Sequence, residues 1–366
     1  MRRIVGTTQA ATWGGGAVAH KVLVLSRKFR EGNREFLDEF LARRGCELID
    51  RDMRYPIDQA QLCELAAEAD GIVTGLEWIS PRVMDAAPNL KVVSAGGVGY
   101  DHIDVEEASR RGIAVAICAG CNNHSVSELA FAMMINLARN VLQVDRSIRD
   151  GQWFPYDRIP LEANCELWGK TLGIVGLGRV GKSTALLGRA FGMRVLAADI
   201  VWDLTFANEH GISYMSFDDV LRQSDFVSMH CPLDEQTRDL IDERAIDLMK
   251  PSAFLINTAR GPIVKESALV EALQAGRIAG AGLDVFQFEP HPDNPYTEFP
   301  NVVLTPHIGG TTKEAFDRAL YLALVNVTNV LNGDPPHCQV NPEVTVYREI
   351  ALTRERRIVP PPSSAI

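Results

Sequence analysis

Hydrophobic residues along the chain fall into short unbroken runs, separated by stretches with helical spacing. In the first third, KVLVLS (21–26), CELID (46–50), GIVTG (71–75), KVVSAG (91–96) and IAVAI (113–117) are such runs. A strand with one wet face would alternate, so they predict a parallel sheet covered on both sides. Between them, REFLDEFLARRG, DQAQLCELAAEA, SPRVMDAAP and VEEASRRG place apolar residues three and four apart, two of them closed by glycine. These predict amphipathic helices. The pattern is that of a doubly wound α/β domain of about 100 residues, near the commonest domain size.

A second series follows. SVSELAFAMMINLARN predicts a helix from about Ser125 to Asn140, with Ser125 or Ser127 as its cap. Beyond the irregular GQWFPYDRIPLEANCELWGK come TLGIVG (171–176), RVLAAD (194–199), DFVSMH (225–230), AFLINT (253–258), IAGAGLDV (278–285) and VVLTP (302–306). Crossovers link most of them, and a second parallel sheet buries them compactly. TKEAFDRALYLALVNVTNVLNG predicts one long helix stopped by Gly333, able to return the chain to the first domain. The expected fold class is α/β, with two doubly wound parallel-sheet domains. One comprises residues 20–122 and 310–342, the other 123–309, with loose tails at 1–19 and 343–366.

Composition narrows the class. With 366 residues, 46% hydrophobic and 23% charged, the chain has material for two full cores. A formal net charge of −10 argues against a nucleic-acid or acidic-membrane surface. No apolar run approaches the roughly 20 residues of a membrane helix. Arg2 and Arg3 precede GTTQAATWGGG, too polar for a signal-peptide core. Seven scattered cysteines fit reduced, cytoplasmic thiols. Cys118 and Cys121 form a C-x-x-C pair, but with no second pair they supply only two of four zinc ligands, so no metal is expected.

GIVGLGRVGKS, from Gly173 to Ser183, satisfies two phosphate-binding patterns. Gly176, Gly178 and Gly181 form G-x-G-x-x-G. Gly176, Gly181, Lys182 and Ser183 form G-x-x-x-x-G-K-S. Both patterns cradle phosphate on amides at a helix start. Context favours a dinucleotide. A strand precedes the glycines, a helix follows, and Asp199 ends the next strand eighteen residues past Gly181. A carboxylate there accepts the ribose hydroxyls and repels a 2′-phosphate, and Ile200 and Val201 follow it without an arginine, so NAD is expected over NADP. A P-loop hydrolase stays open locally, with Asp199 imitating the Mg²⁺-binding acid.

Ligands of open α/β sheets bind beyond the carboxyl ends of the strands. There LINTARG places Arg260, AGLDVFQFEP places Asp284 and Glu289, and VVLTPHIGG places His307. These segments, with SAGGVGYDHID (94–104), GIVGLGRVGKS, MHCPLDEQTRDLI (229–241) and NTARGPIVKESALVEAL, resemble the D-isomer-specific 2-hydroxyacid dehydrogenase family over roughly residues 21 to 342.

The resemblance implies a flavodoxin-like substrate domain and an inserted Rossmann NAD-binding domain. It implies hydride transfer between NAD and a D-2-hydroxy acid or its 2-keto acid. His307 would be the acid/base, Glu289 its carboxylate partner and Arg260 the substrate anchor. Histidine titrates near neutral pH and can give and retake a proton; arginine offers a planar fork matched to a carboxylate. His102 in YDHID is the rival proton donor, and His124, His230 and His291 are weaker candidates. The cofactor set is Gly176, Gly178, Arg179, Val180, Gly181, Asp199, Cys231, Pro232, Thr237, Thr258, Ala259, Asp284 and Gly309. Gly97, Val98 and Gly99 would meet the substrate carboxylate together with Arg260. Lys182 and Ser183 become ordinary helix residues. The family includes enzymes of lactate, glycerate, hydroxypyruvate and phosphoglycerate. VTGLEW (73–78) lacks the arginine that phosphoglycerate enzymes commonly carry there, and no regulatory domain follows residue 342, so a phosphate-bearing substrate is not favoured, although Arg158 could contribute. Leu76 and Trp78 could shape the substrate pocket. Relatives pair through the cofactor domain, which implies a homodimer. NAD-binding corepressors share the fold and form the alternative class; the acidic charge leans toward a metabolic enzyme.

Overall fold

The computed structural model describes residues 19–153 and 164–345. Its contacts divide the chain into two compact units, one formed by the residues up to Cys121 and from Asp317 onward, the other by Asn122–Phe316. In the first unit five strands, β1 (His20–Val24), β2 (Cys46–Leu48), β3 (Gly71–Thr74), β4 (Val92–Ala95) and β5 (Ala114–Ala116), pair in parallel in the order β2-β1-β3-β4-β5. That order is flavodoxin-like. Every residue of β3 and β4 is buried, as the unbroken apolar runs require. Leu23, Ile72, Val93 and Val115 fill the core on one face.

The open edge of β5 is capped by the chain's own C-terminal stretch. Val340 N donates to Val115 O at 2.8 Å and Asn341 Oδ1 accepts from Val115 N at 2.8 Å. Pairing an exposed edge in this way removes a template for aggregation. The packing runs further than the sequence suggested. Glu343 accepts a hydrogen bond from Ser109 Oγ and Val344 is buried, so the tail is tied down at least that far. The remaining tail residues, 1–18 and 346–366, and Arg158 lie outside the described residues. The long helix is present as Lys313–Leu331, and Gly333 follows it at φ +81°, a conformation glycine adopts without strain. From Asp317 this helix belongs to the first unit.

The second unit holds seven parallel strands: β6 (Thr171–Val175), β7 (Arg194–Ala198), β8 (Ile212–Tyr214), β9 (Phe226–Met229), β10 (Phe254–Asn257), β11 (Gly280–Leu283) and β12 (Val302–Leu304). They lie in the order β12-β11-β10-β9-β6-β7-β8. The order reverses between β6 and β9, which is the switch point of a Rossmann sheet. β8 escaped the sequence pattern because it has three residues and buries only Ile212. The helix expected from Ser125 spans Asn123–Arg139, with Asn122 at its N-cap. The serine cap is therefore corrected. Ser125 and Ser127 lie inside the helix, buried, with Ser125 Oγ bonded to Thr312 Oγ1 and Ser127 Oγ donating to His124 O. A following helix, Val141–Arg149, has no buried residue. Among the described residues no helix is long and apolar enough to cross a membrane.

Candidate active site

Three consecutive strand ends build the reactive cluster of the second unit. β10 ends on buried Asn257, whose Oδ1 accepts from Ala259 N at 3.1 Å and whose Nδ2 donates to Arg260 O at 2.9 Å. An asparagine bonded to its own following backbone closes a tight turn, here the one that carries Arg260. Arg260 Nη1 donates to Ala259 O at 2.7 Å. At Gly261 a Cβ would lie 1.9 Å from Phe286 O. Only glycine lets this turn rest against the backbone that leads to Glu289.

β11 runs into Asp284, which is 1% exposed. Its Oδ1 accepts from Thr305 Oγ1 at 2.6 Å and Ile308 N at 2.8 Å, its Oδ2 from Gly309 N at 2.8 Å, and its carbonyl from His307 N at 2.8 Å. These bonds gather the loop after β12 around one carboxylate. His307 itself sits at φ +54°. Such a conformation costs a non-glycine residue on the order of 1–3 kcal/mol. A hydrogen bond to a charged group contributes about 1.5–3 kcal/mol, so three of them outweigh the strain. Asp284 thus supports the histidine turn.

His307 Nδ1 lies 2.5 Å from Glu289 Oε2, and Glu289 Oε1 accepts from Phe286 N at 3.0 Å. A carboxylate only accepts, so the proton between them rides on Nδ1 and Nε2 is left for another partner. The hydrogen bond to Glu289 holds the imidazolium above the usual 6.5. Burial opposes this, the Glu289 charge adds to it and Arg260 detracts. Burial would push the Glu289 carboxyl up, yet the bonds from His307 and Phe286 and the charges of His307 and Arg260 hold it below the usual carboxylate range. The guanidinium thus acts on both members of the pair. Arg260, Glu289 and His307 form one charged neighbourhood. His230 does not join them. It bonds Ser228 Oγ, and burial pushes it down to about 3, too low for proton transfer near neutrality.

The glycine-rich loop occupies the switch point. Gly176 stands at φ +92°, and a Cβ there would lie 2.5 Å from Cys231 N; one on Gly181 would lie 2.0 Å from Gly176 O. The first glycine makes the turn and the third lets the helix pack on it. Gly178 faces open space, with nothing within 4 Å of its missing Cβ. It caps the Arg179–Ala190 helix without a side-chain bond, so the N-cap residue itself leaves the first-turn amides uncapped. Arg179 is exposed and Val180 half-buried beside it. Asp199 follows β7, with Oδ2 accepting from Leu177 N at 2.6 Å and Oδ1 from Val201 N at 2.9 Å. It ties the end of the second strand to the glycine loop. Trp202 Nε1 donates to Asp199 O, and the indole stacks on Tyr214 at 4.9 Å, fixing the segment that follows.

The second phosphate pattern dissolves in this setting. Lys182 Nζ pairs with Asp203 Oδ2 at 2.5 Å, and Ser183 Oγ donates to Arg179 O and accepts from Asn123 Nδ2. Neither side chain is directed to a triphosphate or Mg²⁺ role. Cys118 and Cys121 are core residues of the first unit. The Cys118 thiol bonds the carbonyls of Ala95 and Ala319, and burial pushes Cys121 up to about 11. Among the described residues no cluster of His, Cys, Asp or Glu could hold a metal.

A dinucleotide fits these residues. Beyond the open cradle at Gly178, buried Thr258 Oγ1 has no hydrogen-bond partner among the described residues. A polar ligand at the end of β10 would satisfy it. Ala259 N is held by Asn257, and Thr237 Oγ1 donates to Pro232 O and accepts from Asp234 N, closing the turn beside Cys231.

A family model for the D-isomer specific 2-hydroxyacid dehydrogenase NAD binding domain matches residues 131–309. A glyoxylate reductase of Thermofilum pendens is 42% identical over 311 residues, covering 83% of this chain and 91% of that protein. The chain belongs to the D-isomer specific 2-hydroxyacid dehydrogenase family. A glyoxylate reductase of Korarchaeum cryptofilum is 39% identical over 295 residues, 80% of this chain and 89% of that one. Among solved structures, a D-lactate dehydrogenase from Aquifex aeolicus complexed with NAD and lactic acid is similar with a TM-score of 0.76 and 28% identity, covering 88% of this chain and 99% of that one. This 2-hydroxyacid dehydrogenase is an NAD-dependent oxidoreductase of 2-hydroxy and 2-keto acids. Its two parallel α/β sheets are those of the family. Sequence reading had passed over Asn257, Thr305 and the Lys182–Asp203 pair. An asparagine at a strand end before a turn was the one legible signal among them.

Proposed function

We propose that this dehydrogenase reduces a small unphosphorylated 2-keto acid, glyoxylate foremost, with His307 as acid/base, Glu289 as its partner and Arg260 as the substrate anchor. The contact of 2.5 Å between His307 Nδ1 and Glu289 Oε2, beside the Arg260 charge, carries this reading. Reduction adds a hydride to C2 and a proton to the C2 oxygen. NADH, when bound, supplies the hydride. Arg260 binds the substrate carboxylate through its fork and stabilises charge growing on the oxygen. His307 delivers a proton from Nε2 and takes it back in the reverse direction, while Glu289 keeps Nδ1 protonated so that Nε2 is the atom that cycles.

In the first unit, Gly97, Val98 and Gly99 follow β4 as the candidate contact for a substrate carboxylate. A Cβ at Gly97 would meet nothing within 4 Å, which suits close approach of an anion to backbone. After β3, Glu77 Oε2 accepts from Gly75 N at 2.7 Å. It adds a negative charge to a loop without Lys or Arg, which supports a substrate lacking phosphate. Leu76 and Trp78 of that loop are exposed. The names of the similar glyoxylate reductases support the choice of substrate. Asp199 supports NAD over NADP. A panel of glyoxylate, hydroxypyruvate and pyruvate with NADH reads the activity. Turnover of glyoxylate is expected, and none on any 2-keto acid would refute it.

The raised His307 pKa sets the pH dependence. Keto-acid reduction needs the imidazolium, so kcat/KM stays level below its pKa and falls as pH rises through a midpoint above 6.5. Glu289→Gln removes the group that raises it, and the limb moves to lower pH. A limb at the same pH in both proteins would separate Glu289 from His307.

A homodimer and a cytoplasmic location complete the proposal. Val141, Leu142 and Ile148 are about half exposed on a helix that buries nothing, an apolar face that a second copy would cover. All seven thiols are free, as in a reducing compartment. Sedimentation velocity is expected to show a dimer that Leu142→Glu weakens; a monomeric wild type would contradict it.

A further inference from the structure

The stretch that carries Glu289 is anchored at both ends. At one end Phe286 lies under Gly261, where the backbones approach too closely for a Cβ. At the other, His291 Nε2 bonds Glu266 Oε2 at 3.0 Å. The His291 side chain is 11% exposed, and the edges of Phe286 and Phe288 meet its ring at 6.4 and 6.1 Å between centroids. Glu266 opens the Glu266–Gln274 helix, which packs Ala268, Leu269 and Ala272 into the core. Between the anchors Glu289 and Phe288 are exposed. A short exposed stretch held only at one end would swing, and the Glu289 carboxylate would leave Nδ1 for part of the time.

We propose that His291 is a positioning residue: with Glu266 it clamps the loop so that Glu289 stays on His307. The inference rests on the acid/base role given above to the His307–Glu289 pair. The segment from Arg260 to Glu266 then serves twice. Its first residue anchors the substrate, and its last fixes the carboxylate that holds the acid. Because His291 donates to a carboxylate, an amide N–H can replace it, so His291→Gln keeps the clamp and His291→Ala removes it.

The test follows the His307 imidazole by long-range ¹H–¹⁵N NMR titration, together with kcat for glyoxylate reduction. Wild type, Glu289→Gln, His291→Ala and His291→Gln are compared. In His291→Ala the His307 midpoint is expected to move down toward that of Glu289→Gln. Its kcat falls on the order of tenfold, a part of the ~10²–10⁴-fold that general acid catalysis supplies. KM for NADH stays unchanged, and His291→Gln restores both the midpoint and kcat. A His307 midpoint in His291→Ala equal to wild type overturns the clamp while leaving the pair intact. So does a loss that His291→Gln fails to restore. If Glu289→Gln itself leaves the midpoint unmoved, the pair and the clamp fall together.

Discussion

Replacing His307 with asparagine lowers kcat for 2-keto acid reduction by about 10²–10⁴-fold, the range that one positioned general acid contributes. Asparagine is the informative choice. His307 stands at φ +54°, and asparagine tolerates that region better than most residues, so the turn around Asp284 survives. The hydrogen bonds from Ile308 N and Gly309 N to the Asp284 carboxylate do not use the His307 side chain and are kept. NADH affinity, read by fluorescence titration, therefore stays near wild type while the chemical step fails. A variant that turns over normally removes His307 from the mechanism. A variant that loses NADH binding as well shows that the turn, not the imidazole, was damaged.

Arg260→Lys is expected to lower kcat/KM for the keto acid by about 10²–10³-fold, the loss that follows removal of one oxyanion donor. Lysine keeps the positive charge but not the planar pair of donors. That distinction sorts two roles. The Arg260 charge lowers the pKa of both His307 and Glu289. In the lysine variant those influences persist, and the pH limb stays near its wild-type place while affinity for the acid collapses. In Arg260→Ala the charge goes too, and the His307 limb moves further up in pH. Unchanged kinetics in the lysine variant would show that the fork is not used.

The parallel sheets were legible in the sequence because a strand buried on both faces has to be apolar throughout, as in LGIV or LIN. β8 was not, since an edge strand with one buried residue leaves no run to read. Gly176, Gly178 and Gly181 announced a phosphate turn, but their spacing could not say which one. The side chain of Lys182 decides it by turning to Asp203, a partner twenty-one residues away that no local pattern reveals. The positions of Arg260, Glu289 and His307 at strand ends were readable, and their pairing came from family likeness alone. What sequence could not supply is the support beneath them. Asp284 gathers a loop more than twenty residues further on, and His291 reaches back to Glu266. Such contacts depend on how neighbouring crossovers return beside one another, which the sheet order sets and periodicity does not.

The central claim is that this protein moves a hydride onto C2 of a 2-keto acid while His307 protonates the oxygen. The most direct measurement uses NADH deuterated at C4 on either face, with glyoxylate and stoichiometric enzyme, followed by NMR of the product. The expected result is glycolate carrying one deuterium at C2 from one face only, formed by the wild type and not by His307→Asn within the same time. Bound NADH with no labelled 2-hydroxy acid, or equal labelling by the His307→Asn variant, would contradict it.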